Sequence, residues 1–295
     1  MRVRLFVNTG SNQVTRQIEV PLNEKVMSNN VNNGKPLLEL QGISKVFNKE
    51  GKDFLALENV DLSVEEGEFV CILGPTGCGK SVTLQIVAGL IEQTTGSVIL
   101  DGDEEHGPGP HKGMVFQEYA LLPWRNVIEN VEIGLELKHV PRNERHNIAK
   151  EQLATVGLSG TEHQKVHEIS VGMRQRVAIA RALANGPKIL LMDEPFEALD
   201  ALTKEEMQIQ IIKVWEKTRT TILFVTHDVD EAIFLSDRIC VMDINPGRLK
   251  KVLVNQLPRP RHECISRTDR EFNEMRDEII ALYSSLKDEE LDLII

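Results

Sequence analysis

The chain has 295 residues, enough for one large or two modest domains, and sets Lys+Arg 34 against Asp+Glu 45 for a net charge of −11. That balance excludes a protein whose main task is to coat nucleic acid, which needs a basic face. No apolar run reaches the roughly 18 residues that span a bilayer, so a soluble or peripheral protein is expected.

Arg2 and Arg4 lead the sequence without the apolar core of a signal peptide, which makes the cytoplasm the expected compartment. Residues 1–36 read as an N-terminal extension and linker. Arg2–Val7 and Gln17–Val20 suggest two short strands around a polar turn, and Ser28–Pro36 has linker composition. A hairpin and an unstructured tail both fit. Two strand candidates follow, Leu37–Phe47 and Phe54–Val64, around a polar turn at Asn48–Asp53. Phe47, at a strand end, reads either as a ring that stacks on a base or as a buried strand aromatic, with Phe54 the second candidate.

Glu68–Leu73 is a nearly continuous apolar run, as in a strand buried on both faces, and Val82–Leu90 carries apolar residues at helical spacing. Between them stands Gly74-Pro75-Thr76-Gly77-Cys78-Gly79-Lys80-Ser81, a phosphate-loop pattern in its strand-to-helix context. The glycines let several N–H groups converge on one anion, and the helix behind adds the positive end of its dipole. Lys80 can neutralise β- and γ-phosphate charge, and the Ser81 hydroxyl can ligate Mg²⁺. Cys78 reads as a small filler, although its place beside a helix N-terminus predicts a lowered thiol pKa. Cys71 and Cys240 lie in apolar runs and read as inert core. With Cys264, the 4 cysteines show no zinc spacing.

Gly96–Gly102 is a strand ending in a turn. Lys112–Gln117 is a buried strand ending on an amide, where Gln117 either reaches Mg²⁺ or the attacking water, or is only a loop residue. Residues 118–169 change character: Trp124–Val140, Asn143–Val156 and the segments between read as helices of moderate length with short loops, and His139, His146, His163 and His167 read as solvated. Ser170 reads as the N-cap of a helix carrying Val177, Ile179, Ala180 and Leu183, with Arg174, Arg176 and Arg181 on its polar face. Its N-terminus is either a second anion site or a plain capped helix.

Lys188–Glu194 is a strand of apolar residues ending in two carboxylates. Beside a phosphate loop, Asp193 is the expected Mg²⁺ partner and Glu194 the expected base that polarises water; a structural carboxylate pair is the plainer alternative. Thr221–Asp228 is the next buried strand, with His227 at its end placed to sense a γ-phosphate. In the last segment, Phe272, Met275, Ile279, Leu282 or Tyr283, and Leu286 form one apolar helical face that is expected to pack on the catalytic domain.

The phosphate loop, Gln117, Ser170-Val171-Gly172-Met173-Arg174-Gln175-Arg176, Leu190–Pro195, Ala198-Leu199-Asp200 and Thr226-His227-Asp228, in that order, resemble the ATP-binding subunits of ABC transporters over residues 37–245. Val115–Trp124, Met173–Arg176 and Leu257–Arg261 are similar to the nitrate/sulfonate/taurine importer group. The resemblance implies an α/β P-loop NTPase fold: a RecA-like core with a mainly parallel sheet, an antiparallel β subdomain, and a helical subdomain inserted at about 118–185. Residues 246–295 form the C-terminal segment. It implies ATP and Mg²⁺ as cofactors and a homodimer or paired ATPase subunit sandwiching two nucleotides. In each site Gly74–Ser81, Val82, Gln117, Asp193, Glu194 and His227 come from one subunit, Ser170 and Gly172 from the other, and Asp200 lies at the seam. It also implies a membrane permease docked on the helical subdomain, a solute-binding protein beyond it, and the cytoplasmic face of the membrane as the location.

Three positions depart from the family pattern. Val82 replaces a threonine, Val171 replaces the first signature glycine and restricts the backbone, and Glu197 replaces a small residue and adds charge at the expected dimer seam. The reading is therefore an ATPase that powers import of a small anion of nitrate, sulfonate or taurine type. A soluble ABC ATPase acting on DNA or ribosomes is the first alternative. The interval between Gln117 and Ser170 is too short for the coiled coil of the DNA-repair types, and the ribosome types hold two cassettes. An ATP-gated interaction protein without turnover is the second.

Overall fold

A computed structural model describes residues 2–9, 14–21, 35–49 and 51–292. Near the N-terminus, β1 (Arg2–Thr9) and β2 (Val14–Pro21) pair antiparallel. The linker expected at Ser28–Pro36 lies mostly outside the described residues. The chain continues through β3 (Leu38–Lys49), β4 (Lys52–Val64), β5 (Phe69–Leu73), α1 (Lys80–Val87), β6 (Thr95–Leu100), β7 (Asp103–Glu104) and β8 (Lys112–Val115). Three helices follow, α2 (Val127–Leu137), α3 (Arg142–Thr155) and α4 (Val171–Ala184). Then come β9 (Ile189–Asp193), α5 (Ala201–Thr218), β10 (Thr221–Thr226), α6 (Val229–Leu235), β11 (Arg238–Asp243), β12 (Arg248–Val254), α7 (Arg261–Cys264) and α8 (Arg270–Asp292).

A six-stranded sheet runs β12-β11-β5-β10-β9-β8, parallel except for the β11–β12 pair, and an antiparallel sheet runs β4-β3-β6-β7. The apolar runs exist because both faces of the first sheet are covered. Along β5, Phe69, Cys71 and Leu73 enter a core shared with α2–α6 and α8, while Val70 and Ile72 enter a core shared with α1 and the antiparallel sheet. β10 divides the same way, with Ile222 and Phe224 on one side and Leu223 and Val225 on the other.

Side-chain caps start the helices that frame the sheet. Ser170 accepts from the Met173 N–H, Asp200 from Thr203 and Asp228 from Glu231, while Asn126 and Glu129 form a capping box on α2. Each such cap is worth about 1 kcal/mol.

The helices expected at Trp124–Val140 and Asn143–Val156 form as α2 and α3, the first beginning only at Val127. Residues 118–126 and 157–165 are turns and extended chain. Between β8 and α2 the backbone is held by side chains instead of a helical ladder. Buried Asn130 takes the Leu122 N–H at 2.7 Å and donates to its carbonyl at 3.2 Å, and Arg181 donates to the carbonyls of Tyr119 (2.9 Å) and Ala120 (2.6 Å). His146 is not simply solvated, since its Nδ1 lies 2.9 Å from the buried Glu132 carboxylate, which Arg145 also meets at 3.2 Å. The arginines expected on a free polar face of α4 spend their donors on carbonyls, Arg174 on Val166 and Arg176 on Val156 and Gly157. As expected, α8 packs on the core: Phe272 and Ile279 are fully buried, and Met275, Leu282 and Tyr283 pack against the same cluster. The side chain of Leu286 lies outside the described residues. Among the described residues no helix is long and apolar enough to cross a membrane.

Candidate functional site

Strand register gathers the chemistry. β10 lies between β5 and β9, pairing Thr226 with Leu73 and Val225 with Asp193, while Val115 of β8 pairs with Met192. The residues that leave these strands at their carboxyl ends, Gly74, Gln117, Glu194 and His227, therefore open on one edge, where open α/β sheets bind ligands.

The loop is tight. A Cβ on Gly74 would sit 2.5 Å from the Cys78 sulfur, and Gly79 holds φ 93° where a side chain would collide with Leu57. Lys80 is 4% exposed, and its ammonium bonds the carbonyls of Gly74 (2.9 Å) and Pro75 (3.1 Å) and lies 3.4 Å from Glu194. A cation buried this far needs such partners. Val82 packs partly buried against the second core. Cys78 corrects one expectation: burial pushes its thiol up, outweighing the Lys80 charge that pulls it down.

The Ser81 hydroxyl donates to Asp193 Oδ1 at 2.8 Å, so two hard oxygen donors from distant segments already meet. Burial raises the Asp193 pKa despite that hydrogen bond. Glu194 sits at φ 42°, a left-handed conformation costing a non-glycine residue roughly 1–2 kcal/mol and found mostly at functional sites. Its carboxylate lies 2.9 Å from His227 Nδ1. Burial pulls the Glu194 pKa up, but the His227 hydrogen bond and the Lys80 charge outweigh it and hold the group below the ordinary carboxylate range. Phe196, 1% exposed and 5.6 Å ring to ring from Phe224, pins the turn that carries Glu194.

Glu197 belongs to this cluster, which sequence reasoning missed by placing it only at a seam. Gln117 Nε2 donates to its carboxylate, and donor atoms of Glu194, Glu197 and His227 lie within 4.8 Å of one another. The turn in which the Glu197 N–H bonds the Glu194 carbonyl at 3.3 Å brings the two acids together, and Pro195-Phe196 between them was the available signal.

The remaining predicted residues stand apart from that cluster. Ser170 and Gly172, at the start of α4, line a cavity of about 300 Å³ with Thr203 and Met207 of α5, where a Cβ on Gly172 would come 2.9 Å from the Thr203 methyl. Asp200 caps α5, with Thr203 Oγ1 2.7 Å away, and the Thr203 hydrogen bonds lower its pKa. Phe47 sits opposite Phe54 in the β3–β4 register. The rings are 36% and 56% exposed, which rules out the buried-aromatic reading for both, and Lys45 Nζ lies 5.0 Å from the Phe47 centroid.

The description "ABC transporter" belongs to the family model that matches residues 57–197. The chain is 49% identical, over 87% of its length and 94% of the relative's, to an uncharacterized ABC transporter ATP-binding protein of Methanocaldococcus jannaschii. It is 44% identical to an aliphatic sulfonates import ATP-binding protein of Bacillus cereus over 82% of this chain and 94% of that one. To the bicarbonate transport ATP-binding protein of Synechococcus elongatus it is 42% identical over 82% of this chain and 88% of that one. Among solved structures it resembles a dimeric ATP-binding cassette in a post-hydrolysis state bound to ADP and Pi, with TM-score 0.65, 33% identity, and coverage of 75% of this chain and 100% of that chain.

Proposed function

The chain belongs to the ATP-binding subunits of ABC transporters and hydrolyses ATP, and from that premise we infer that it energises uptake of a small oxyanion through a separate membrane permease. The observation that carries the chemistry is the meeting of Lys80, Ser81, Asp193, Glu194 and His227 at one sheet edge. Gly74–Ser81 cradle the β- and γ-phosphates with backbone N–H groups, and Lys80 turns to them from its carbonyl partners. Glu194, kept ionised by its neighbours, accepts a proton from the attacking water, while His227 and Gln117 border the γ-phosphate.

The cluster sets Asp193, Glu194 and Glu197 against Lys80. Such a site repels a bare polyphosphate, which supports Mg²⁺ entering with the nucleotide. Ser81 and Asp193 offer the hard-oxygen pair it needs, and Gln117, which bonds Glu197, would add a third oxygen. When bound, Mg²⁺ neutralises charge that develops between the β- and γ-phosphates.

The dimeric cassette among the structural relatives supports pairing. In this arrangement Ser170 and Gly172 of a second copy close over the γ-phosphate and Asp200 lies between the copies. Phe47 stands at the adenine. The subunit sits on the cytoplasmic face, against a permease that a solute-binding protein supplies.

Sulfonate and bicarbonate transport are named for relatives at similar identity, so the shared class is a small oxyanion, and nitrate or taurine fits it equally. The test is growth of a deletion strain on an alkanesulfonate or taurine as sole sulfur source, on nitrate as sole nitrogen source, and at limiting bicarbonate. A defect on one of these, restored by wild type and not by Glu194→Gln, is the expected result. No defect on any would refute the oxyanion assignment.

A further inference from the structure

The residues around His227 are tied to the C-terminal segment. α6, the helix that follows His227, has only 7 residues, and so short a helix has little stability of its own. Its place depends on what its first turn is fastened to. Asp230, in that turn, receives Arg276 of α8 through a two-pronged pair, Nε to Oδ1 at 2.6 Å and Nη2 to Oδ2 at 2.8 Å. Such forks fix direction as well as distance. The Arg276 guanidinium is itself braced by Asn273 at 2.6 Å and lies 5.2 Å from the centre of the Phe272 ring. Phe272 and Ile279, both fully buried, seat this part of α8.

A second line reaches the same place from the chain just before α8. Arg267 donates to Gln208 of α5, Gln208 donates to Glu231 at 3.2 Å, and Glu231 accepts from Thr226, the residue before His227, at 2.5 Å. Lys204 joins this network, meeting Glu231 at 2.9 Å and Asp228, the residue after His227, at 2.8 Å. His227 is thus held on both flanks by groups that end on the C-terminal segment.

We propose that Arg276, assisted by Arg267, is a positioning residue for hydrolysis: by fixing the first turn of α6 it keeps the His227 imidazole opposite Glu194. The proposal rests on the ATPase reading of the Glu194–His227 pair. Arg276 bonds Asp230 and Asn273 and no residue of the Gly74–Ser81 loop, so its loss should lower turnover and leave nucleotide binding alone.

The experiment measures MgATP turnover of the full chain as wild type, Glu194→Gln, Arg276→Met, Arg276→Lys, the charge swap Arg276→Asp with Asp230→Arg, and Lys251→Met. The last breaks a separate α8 ion pair, Lys251–Glu278 at 2.8 Å, on β12. The expected result for Arg276→Met is a kcat lowered about fivefold to tenfold with KM within about twofold, since a small misplacement of a reacting group is enough for that. Arg276→Lys should be intermediate, the swap should recover most of the loss, and Lys251→Met should match wild type. An Arg276→Met kcat within about twofold of wild type would overturn the proposal, as would an equal loss in Lys251→Met or a swap that recovers nothing. If Arg276→Met does not fold, Asp230→Asn probes the same contact from α6 and is read by the same criteria. Wild-type chain without turnover, or Glu194→Gln as active as wild type, would instead refute the reading of the site itself and the proposal with it.

Discussion

Replacing Glu197 with glutamine should tighten MgATP binding. The substitution keeps shape and hydrogen-bonding capacity toward Gln117 but removes one of the negative charges around the expected γ-phosphate position. Its carboxylate lies within 4.8 Å of those of Glu194 and the His227 ring. A γ-phosphate beside Glu194 would stand at a comparable distance from Glu197, where two like unit charges repel by about 1 kcal/mol with water-like screening and by roughly 3.5 kcal/mol at an effective dielectric of about 20. Glu197 is exposed, so the lower figure applies, and about 1 kcal/mol is close to a fivefold change in affinity. Steady-state ATPase assays at about 0.1 M and about 1 M salt should therefore show KM for MgATP lower in Glu197→Gln by about fivefold. The gap should shrink at the higher salt, where the screening length falls to about 3 Å. A KM that rises, or a gap independent of salt, would show that Glu197 acts through its bond to Gln117 and not through its charge.

Cys78 should resist alkylation: its thiol is fully buried and pushed up by that burial, whereas Cys264 is exposed. Iodoacetamide labelling at neutral pH followed by peptide mass spectrometry should show Cys264 reacting well before Cys78, with ATP slowing Cys78 further; equal rates would contradict this. Burial pulls the Asp228 pKa up, but the Lys204 hydrogen bond and the Glu231 N–H outweigh it, leaving the folded-state value lowered. The stabilisation is then complete above the unfolded value of about 3.9 and is lost as pH falls through the lower folded value. The Tm gap between wild type and Lys204→Met should accordingly be largest at neutral pH and close toward pH 2; a constant gap would refute the pairing. Asn130→Ala should cost about 2 kcal/mol in denaturant unfolding, because the part-buried Leu122 N–H loses its acceptor and the fully buried amide its bonds to the Leu122 and Asn126 carbonyls. A change under about 0.5 kcal/mol would mean that water replaces the amide.

The strands were legible because burial on both faces leaves a plain trace, as in Phe69–Leu73, and the glycine spacing around Lys80 has almost one structural meaning. The helix starts at Ser170 and Asp200 were legible as caps or motif residues. What escaped depends on contacts that periodicity does not encode. The path of residues 118–126 is set by Asn130 and Arg181 from other elements. Glu197 enters the site only through the turn after Glu194. The left-handed backbone of Glu194, and the arginines that reach the flanks of His227 from beyond residue 260, are likewise products of tertiary packing.

The most direct test of the account is the oligomeric state and phosphate release of Glu194→Gln with MgATP, measured by light scattering and a phosphate assay beside wild type. The account predicts that the variant binds ATP, stays as a dimer and releases phosphate at least about a hundredfold more slowly than wild type. A monomer with ATP bound, or phosphate release at the wild-type rate, would contradict it.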